Sequence, residues 1–294
     1  MSASEPTTRT SVDRKPRDDE IDVYGLTHRG NVRTLNEDHF LIAALHKNVQ
    51  VHMTSLPDTR AFTGDTERLA FLAMVADGVG GGPHGNEASR RAVETTTHYV
   101  TRSLNCYYTA DASDESAFTG RLQDAALHCH ADLQKRAEQN EEYEGMATTL
   151  TLWLGIWPRA YLLQVGDSRA YLLRDRRLTQ LSRDQTMAQV LIDQGILSRD
   201  DAAGTRWEHI LASSIGGPES LPVVTRIDQQ WGDVGLLCSD GLTKHVPDER
   251  IRERLNDMPS AKAGCEGLLQ DALEGGGTDN ITIVIGRTAR RGDA

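Results

Sequence analysis

Short acidic turns are scattered along most of this chain: Asn36-Glu37-Asp38, Asp77-Gly78, Asp240-Gly241 and Asp279-Asn280. Carboxylates so far apart in sequence share a chemistry only when the fold gathers them. The apolar run 69–76 ends at Asp77, and the run 234–239 ends at Asp240. A strand that closes on an acid delivers a carboxylate to the rim of a sheet. Gly78 and Gly241 follow these acids, and a residue without a Cβ lets a backbone carbonyl approach a ligand closely. Gathered carboxylate and carbonyl oxygens are hard ligands, suited to Mg²⁺ or Mn²⁺ rather than to zinc. A lone Asp-Gly pair is only a turn signal, so the argument rests on several of them acting together.

The elements that must position these acids follow from periodicity. Residues 1–20 are polar, with almost no large apolar side chains, and are expected to form a disordered leader because burial cannot offset their ordering entropy. The folded part is expected over 21–288, with a tail at 289–294. A strand is expected near 21–27, a turn at Arg29-Gly30-Asn31 and a returning strand at 40–42, then a hairpin with a long loop over 47–66. Helical spacing follows at 85–104 and 116–139. Segments 147–155, 160–165 and 170–174 read as strands separated by Trp157-Pro158-Arg159 and Gly166-Asp167-Ser168-Arg169, with a short piece at 178–181. Strands in such close succession argue for antiparallel pairing. Short helical pieces at 187–194 and 199–203 then read as an excursion from the sheet. Strands return at 222–227, 234–238 and 280–285, with helices at 248–255 and 260–273. Alternating blocks of strands and paired helices predict an α+β layered sandwich rather than a βαβ wheel.

With 294 residues the chain has ample surface to bury. Its net charge of −11, from 43 acidic against 32 basic residues, and the lack of a long basic block make nucleic acid an unexpected partner. Cys106, Cys129, Cys238 and Cys265 form no Cys-x-x-Cys pair and are expected to be reduced packing residues. The apolar runs are strand-sized, well short of the ~20 residues that span a bilayer. A cytoplasmic setting away from membranes is the expectation.

Six motifs stand in a telling order: Arg33-Thr34-Leu35-Asn36-Glu37-Asp38, Asp77-Gly78-Val79-Gly80-Gly81, Met146-Ala147-Thr148-Thr149-Leu150, Gly166-Asp167-Ser168-Arg169, Ser239-Asp240-Gly241-Leu242 and Thr278-Asp279-Asn280-Ile281-Thr282. Together they resemble the metal-dependent protein phosphatases of the 2C type, the PPM family, in their bacterial form, over about residues 21–287. The resemblance implies a four-layer αββα sandwich, two antiparallel sheets flanked by helix pairs, with a two-metal site at one edge. It implies that Asp77 bridges two Mn²⁺ or Mg²⁺ ions, with the Gly78 carbonyl on the second. It assigns Asp240 and Asp279 to the first metal, and Asp38 with Glu37 to the second, partly through water. Cations roughly 3.5 to 4 Å apart acidify a bridging water, and the implied reaction is in-line attack of that hydroxide on phosphoserine or phosphothreonine. Arg33 matches the family's phosphate-binding arginine, whose guanidinium grips two phosphoryl oxygens. The implied partners are phosphorylated proteins, targets of a serine/threonine kinase, met by a monomer. The alternative reading is a catalytically silent relative that binds phosphoproteins as an adaptor.

Several positions depart from the family pattern. Val79 stands where many eukaryotic members carry a histidine that protonates the leaving group, so metal-bound or bulk water is left to supply that proton. His39 and His84 are expected to be surface or packing residues. Asp184-Gln185 replaces an Asp-His pair, and Gln185 could alter the contact of the flap, about 185–217, with the core. Within that flap Val190, Leu191, Ile192 and Ile196 are expected to face the core, and the loop 197–208 to meet substrate. Asp167 reads as a turn-forming structural acid rather than a ligand. Asn280 either orients a ligand or caps a turn. A possible third metal is left unassigned near Glu144 and Gly145.

Overall fold

The computed structural model describes residues 14–47, 67–79, 83–103 and 115–289. The loop of the expected hairpin, Gly80 to Gly82, Cys106 and the last residues of the tail lie outside the described residues.

The strands are β1 (Ile21–His28), β2 (His39–Lys47), β3 (Glu67–Ala76), β4 (Gly78–Val79), β5 (Ala147–Thr148), β6 (Leu150–Ile156), β7 (Arg159–Val165), β8 (Arg169–Arg174), β9 (Arg177–Gln180), β10 (Val223–Asp228), β11 (Val234–Cys238) and β12 (Ile281–Thr288). They form two five-stranded sheets, in the orders β1-β12-β11-β8-β9 and β10-β7-β6-β3-β2, plus a small β4-β5 ladder. Every pairing is antiparallel. The helices are α1 (Pro83–Ser103), α2 (Glu115–Gln139), α3 (Met187–Asp193), α4 (Arg199–Ala202), α5 (Asp240–Thr243), α6 (Asp248–Asp257) and α7 (Ala261–Glu274).

Burial assigns the layers. Ala88, Ala92 and Val100 of α1 and Leu122, Ala126 and Leu133 of α2 pack on Leu72, Met74, Leu152 and Leu163 of the second sheet. Ile251 and Leu255 of α6 with Cys265 and Leu268 of α7 pack on Leu236, Ile283 and Ile285 of the first. Between the sheets lie smaller side chains, Ala73, Ala160 and Ala170 beside Leu162, Leu237 and Val284. This is the four-layer αββα sandwich expected. Each fully buried Leu or Ile contributes roughly 1.5–3 kcal/mol, so the apolar layers fix the strands and thereby the ends of the strands.

In the stretch expected to belong to the leader, Pro16 and Glu20 are buried while Arg14, Arg17, Asp18 and Asp19 stay exposed. Arg68 of β3, itself buried, pairs with Asp18 and donates to the Pro16 carbonyl, while Lys15 donates to the Arg68 carbonyl. Glu20 is buried and accepts from both Arg14 nitrogens at 2.6 and 2.5 Å. Charge pairing orders a segment that its apolar content alone would leave free. In the flap, Val190, Leu191 and Ile192 are only half-buried and Ile196 is 61% exposed; within α3 the buried side chain is Ala188. The flap is thin, and a short helix that covers little surface buries its smallest residue most fully.

Candidate active site

Register brings the acidic turns to one edge. In β2–β3 His39 pairs with Ala76, so Asp38 and Asp77 are the next residues outward on neighbouring strands. In the other sheet Cys238 pairs with Ile283 and with Arg169, and His28 pairs with Ile281. The loops that carry Arg33, Asp167, Asp240 and Asp279 therefore leave the sandwich at the same rim. The β4–β5 ladder pairs Gly78 with Thr148 beside them.

Each acid is held by its own motif. The Asp77 carbonyl accepts from Thr148 Oγ1 at 2.8 Å and from Thr149 N–H at 2.9 Å, and Asp77 N–H donates to Thr149 Oγ1 at 3.0 Å. Thr149 Oγ1 lies 2.8 Å from Ser168 Oγ. The paired threonines thus clamp the backbone of Asp77 and leave its carboxyl to face the site. Asp38 is buried, and its Oδ2 accepts from Thr282 and Ser239 hydroxyls at 2.7 and 2.8 Å. Its Oδ1 is buried with no hydrogen-bond partner. Asn280 accepts from Glu37 N–H at 2.9 Å and donates to the Arg29 and Leu35 carbonyls at 3.0 and 2.8 Å. Of the two roles open to it, it ties down the loop that carries Arg33 and Glu37. Glu37 is buried, with its carboxylate against Gly85 at the start of α1. Two glycines allow these approaches: at Gly30, with φ +77°, a Cβ would collide with the Asp279 carbonyl, and at Gly241 with the Asn280 carbonyl.

The charges are not spread evenly. Burial pushes Asp38 up to about 7, relieved in part by its two hydroxyl donors and raised further by Asp240 and Asp279. Burial, then the charges of Asp38, Asp240, Asp167 and Asp279, push Asp77 well above the usual carboxylate range. Asp279 behaves differently. Its burial acts upward, but Lys244 and Arg33 outweigh this and hold it below the ordinary value. Lys244 Nζ lies 2.6 Å from Asp240 Oδ2 and 2.7 Å from Asp279 Oδ2. Arg33 Nε lies 2.8 Å from Asp279 Oδ1, and its Nη2 3.0 Å from Oδ2.

Asp167, expected as a turn-forming acid, stands at the same rim, and burial and the charges of Asp240 and Asp184 raise it to about 8. Its signal was the buried apolar strand that ends just before it, the same signal that picked out Asp77. Lys244, at the C-terminal cap of α5, carried no spacing signal beyond its place four residues after Asp240. Gln185 does tie the flap to the core, accepting from Gly166 N–H at 2.8 Å and donating to the Leu221 carbonyl at 2.9 Å. His39 Nδ1 lies 3.0 Å from Ser89 Oγ, and His84 is half-buried. Glu144 is exposed on the turn before β5. Between flap and rim runs a polar cleft of about 460 Å³, lined by Asp167, Asp184, Arg199, His209, Asp240 and Lys244. A smaller apolar cavity of about 110 Å³ lies between the sheets near Trp153 and Gly235, among packing residues remote from the acids.

Among the described residues, no three His, Cys, Asp or Glu side chains stand as a ready-made ligand set. The donors on Asp240 and Asp279 account for this, since both carboxylates are turned to Lys244. The chemistry present nonetheless fits a hard divalent cation. All the candidate donors are oxygens, they are too many for one site to hold ionised without a counter-charge, and Asp38 Oδ1 is an orphaned buried acceptor.

A sandwich of this topology with converging carboxylates defines a class of metal-dependent phosphatase folds, and the comparisons agree. The model of the protein phosphatase 2C family matches residues 56–274, and the chain belongs to that family. Over 216 residues it is 34% identical to the serine/threonine protein phosphatase PstP of Mycobacterium tuberculosis, covering 74% of this chain and 40% of that protein. It is 30% identical to the serine/threonine phosphatase Stp of Listeria monocytogenes over 73% of this chain and 83% of the relative. The crystal structure of the catalytic domain of PstP in complex with two manganese ions superposes with a TM-score of 0.68 at 29% identity, covering 92% of this chain and 99% of that one. The matched segment thus spans about two fifths of the length of the mycobacterial relative.

Proposed function

We propose that the chain is a protein serine/threonine phosphatase that depends on two Mn²⁺ or Mg²⁺ ions. The observation that carries this reading is the convergence of Asp38, Asp77, Asp167, Asp240 and Asp279 at one rim, where the charges of neighbouring acids raise Asp38, Asp77 and Asp167 and a divalent cation would relieve them. Asp77 would lie between the ions with the Gly78 carbonyl. Asp240 and Asp279 would hold one ion, and Asp38 and Glu37 the other. When bound, such a pair supplies a water acidified toward neutral pH. The residues of the chain bind and orient. Arg33, with its side chain 48% exposed, presents a fork that suits two phosphoryl oxygens. The Thr148-Thr149 clamp fixes Asp77, and Asn280 fixes the Arg33 loop. Val79 offers no proton, so water protonates the leaving alkoxide.

The substrates would be phosphoproteins made by a serine/threonine kinase, reached through the cleft beside the flap and met by a monomer. A cytoplasmic setting is supported by the buried, unpaired thiols of Cys129, Cys238 and Cys265. Among the described residues no helix is long and apolar enough to cross a membrane.

The test is hydrolysis of p-nitrophenyl phosphate and of phosphoserine and phosphothreonine peptides with Mn²⁺, Mg²⁺ or a chelator. Turnover that needs the cation and is lost with chelator is expected. Binding of Mn²⁺ and phosphopeptide without turnover would instead establish the silent adaptor.

A further inference from the structure

Asp279 has no acceptor site left for a metal. A carboxylate offers about four lone-pair positions, and here the donors number the same: Asn280 N–H at 2.9 Å and Arg33 Nε at 2.8 Å on Oδ1, Arg33 Nη2 at 3.0 Å and Lys244 Nζ at 2.7 Å on Oδ2. The same Lys244 ammonium reaches Asp240 Oδ2 at 2.6 Å. Arg33 pairs with Asp279 alone, and the Asn280 amide is fixed in the backbone. Lys244 is the group that bridges the two carboxylates, as a cation shared between Asp240 and Asp279 would have to.

We propose that Lys244 is a built-in competitor for the divalent cation at the Asp240–Asp279 half of the site. This rests on the metallophosphatase reading above. Loading this half is an exchange: the ammonium gives up two charge-assisted hydrogen bonds, and the divalent ion takes their oxygens. α5 is only one turn long and its end is open to the cleft, with the Lys244 side chain 27% exposed. The displaced ammonium therefore has a path into the polar cleft that it already lines. No lysine or arginine contacts Asp38 or Asp77 among the described residues, and Asp38 Oδ1 has no partner. The Asp240–Asp279 half should consequently bind a divalent cation more weakly than its oxygens alone would, by an amount that Lys244 sets.

The experiment is calorimetric titration of the chelator-treated full chain with MnCl₂, comparing wild type with Lys244→Met and Lys244→Gln. Two classes of Mn²⁺ site are expected in the wild type. Both substitutions should tighten one class by roughly tenfold or more, the scale of charge-assisted hydrogen bonds no longer surrendered. Affinities that are unchanged or weakened in both classes in folded variants overturn the proposal, because Lys244 would then be an outer contact that orients the ligands while the metal is bound. A second measurement needs no variant. Reductive methylation read by mass spectrometry should spare Lys244 in the metal-free chain and modify it in saturating Mn²⁺; equal protection in both states overturns the exchange. Absence of Mn²⁺ binding in wild type and variants alike would overturn the metallophosphatase reading, a different outcome from Mn²⁺ binding that ignores Lys244.

Discussion

The two halves of the acidic cluster are built from the same residue type and treated in opposite ways. The Asp38 carboxyl meets two hydroxyls, both Asp38 and Asp77 face other acids, and both are raised above the ordinary range. Asp279 meets Lys244 and Arg33, and its proton is lost more easily than usual. Burial acts in the same direction on all three, so it is the nearest counter-charge that decides. The comparison teaches that counter-charge is placed unevenly: Asp240 and Asp279 hold the ammonium and Asp279 the guanidinium of the chain itself, whereas Asp38 and Asp77 hold neither.

The largest effect expected is on turnover. Asp77→Asn keeps the size of the side chain and the Thr148-Thr149 clamp, which acts on its backbone, while removing the one acid proposed to serve both ions. Phosphopeptide hydrolysis in Mn²⁺ should fall by about 10³-fold or more, since metal activation of water supplies most of the reaction. Near-normal turnover in a folded variant would remove Asp77 from the site.

The next effect is on stability without metal, and it breaks the comparison if the signs agree. In Asp38→Asn the amide oxygen can still accept from Ser239 and Thr282 while the repelled charge is gone. The chelator-treated variant should be more stable than wild type at pH 8 by roughly 1–3 kcal/mol. In Asp279→Asn the charge-assisted bonds to Lys244 and Arg33 are weakened, and stability should fall by a similar amount. Denaturant melts of the two variants would measure this. The pH profile has a definite sign as well. Asp38 at about 7 and Asp167 at about 8 are raised above the unfolded value of ~4. Groups raised on folding contribute stability that is complete below the unfolded value and lost as pH climbs through the folded one. The melting temperature of the metal-free chain should thus decline between about pH 4 and about pH 8. A flat profile over that window would mean that these acids are not coupled as described.

The strand ends that make the site were legible in the sequence because an apolar run that closes on an acid and a glycine is a local signal. The same holds for α1, α2 and the antiparallel order of the strands, whose spacing is carried within each segment. What was not legible depends on contacts made across the fold. Asp167 looked like a turn because its partners, Asp240 and Asp184, lie 73 and 17 residues away. Lys244 stands one helical turn after Asp240, but its second contact, Asp279, lies in the loop just before β12. The contacts of Lys15, Pro16 and Asp18 are with Arg68 of β3, and Val190, Leu191, Ile192 and Ile196 read as core-facing because apolar residues say nothing about how little there is to cover.

A smaller effect belongs to Arg33. Removal of its fork in Arg33→Ala should raise KM for a phosphothreonine peptide by about tenfold, the scale of one bidentate charge-assisted contact, with a lesser change in kcat. Steady-state kinetics would read this, and an unchanged KM would leave Arg33 as a partner of Asp279 only. The same variant also frees two acceptor positions on Asp279, so a modest tightening of Mn²⁺ should accompany the loss of substrate affinity.

The smallest effect comes from a carboxylate that is paired but far from the rim. Asp271 of α7 accepts from Arg254 at 2.5 and 2.7 Å and from Arg250 at 2.9 Å, and these guanidinium bonds hold it down at about 2. Its arginines are a third to nearly half exposed, so solvent screening limits the stabilisation to about 1 kcal/mol. A depressed group contributes stability that is present above the unfolded value and lost as pH falls through the folded one. Asp271→Asn should therefore melt slightly earlier than wild type at neutral pH, with the difference vanishing between about pH 4 and about pH 2. The difference should be the same with and without Mn²⁺, because no metal is proposed to compete with Arg250 and Arg254 for Asp271. Asp279→Asn should differ from it in this respect: its penalty in the metal-free chain reflects the loss of Lys244 and Arg33, and in Mn²⁺ it should become a loss of metal-induced stabilisation instead. If both variants respond to Mn²⁺ alike, counter-charge at the rim is ordinary surface pairing and Lys244 holds no special place in the site.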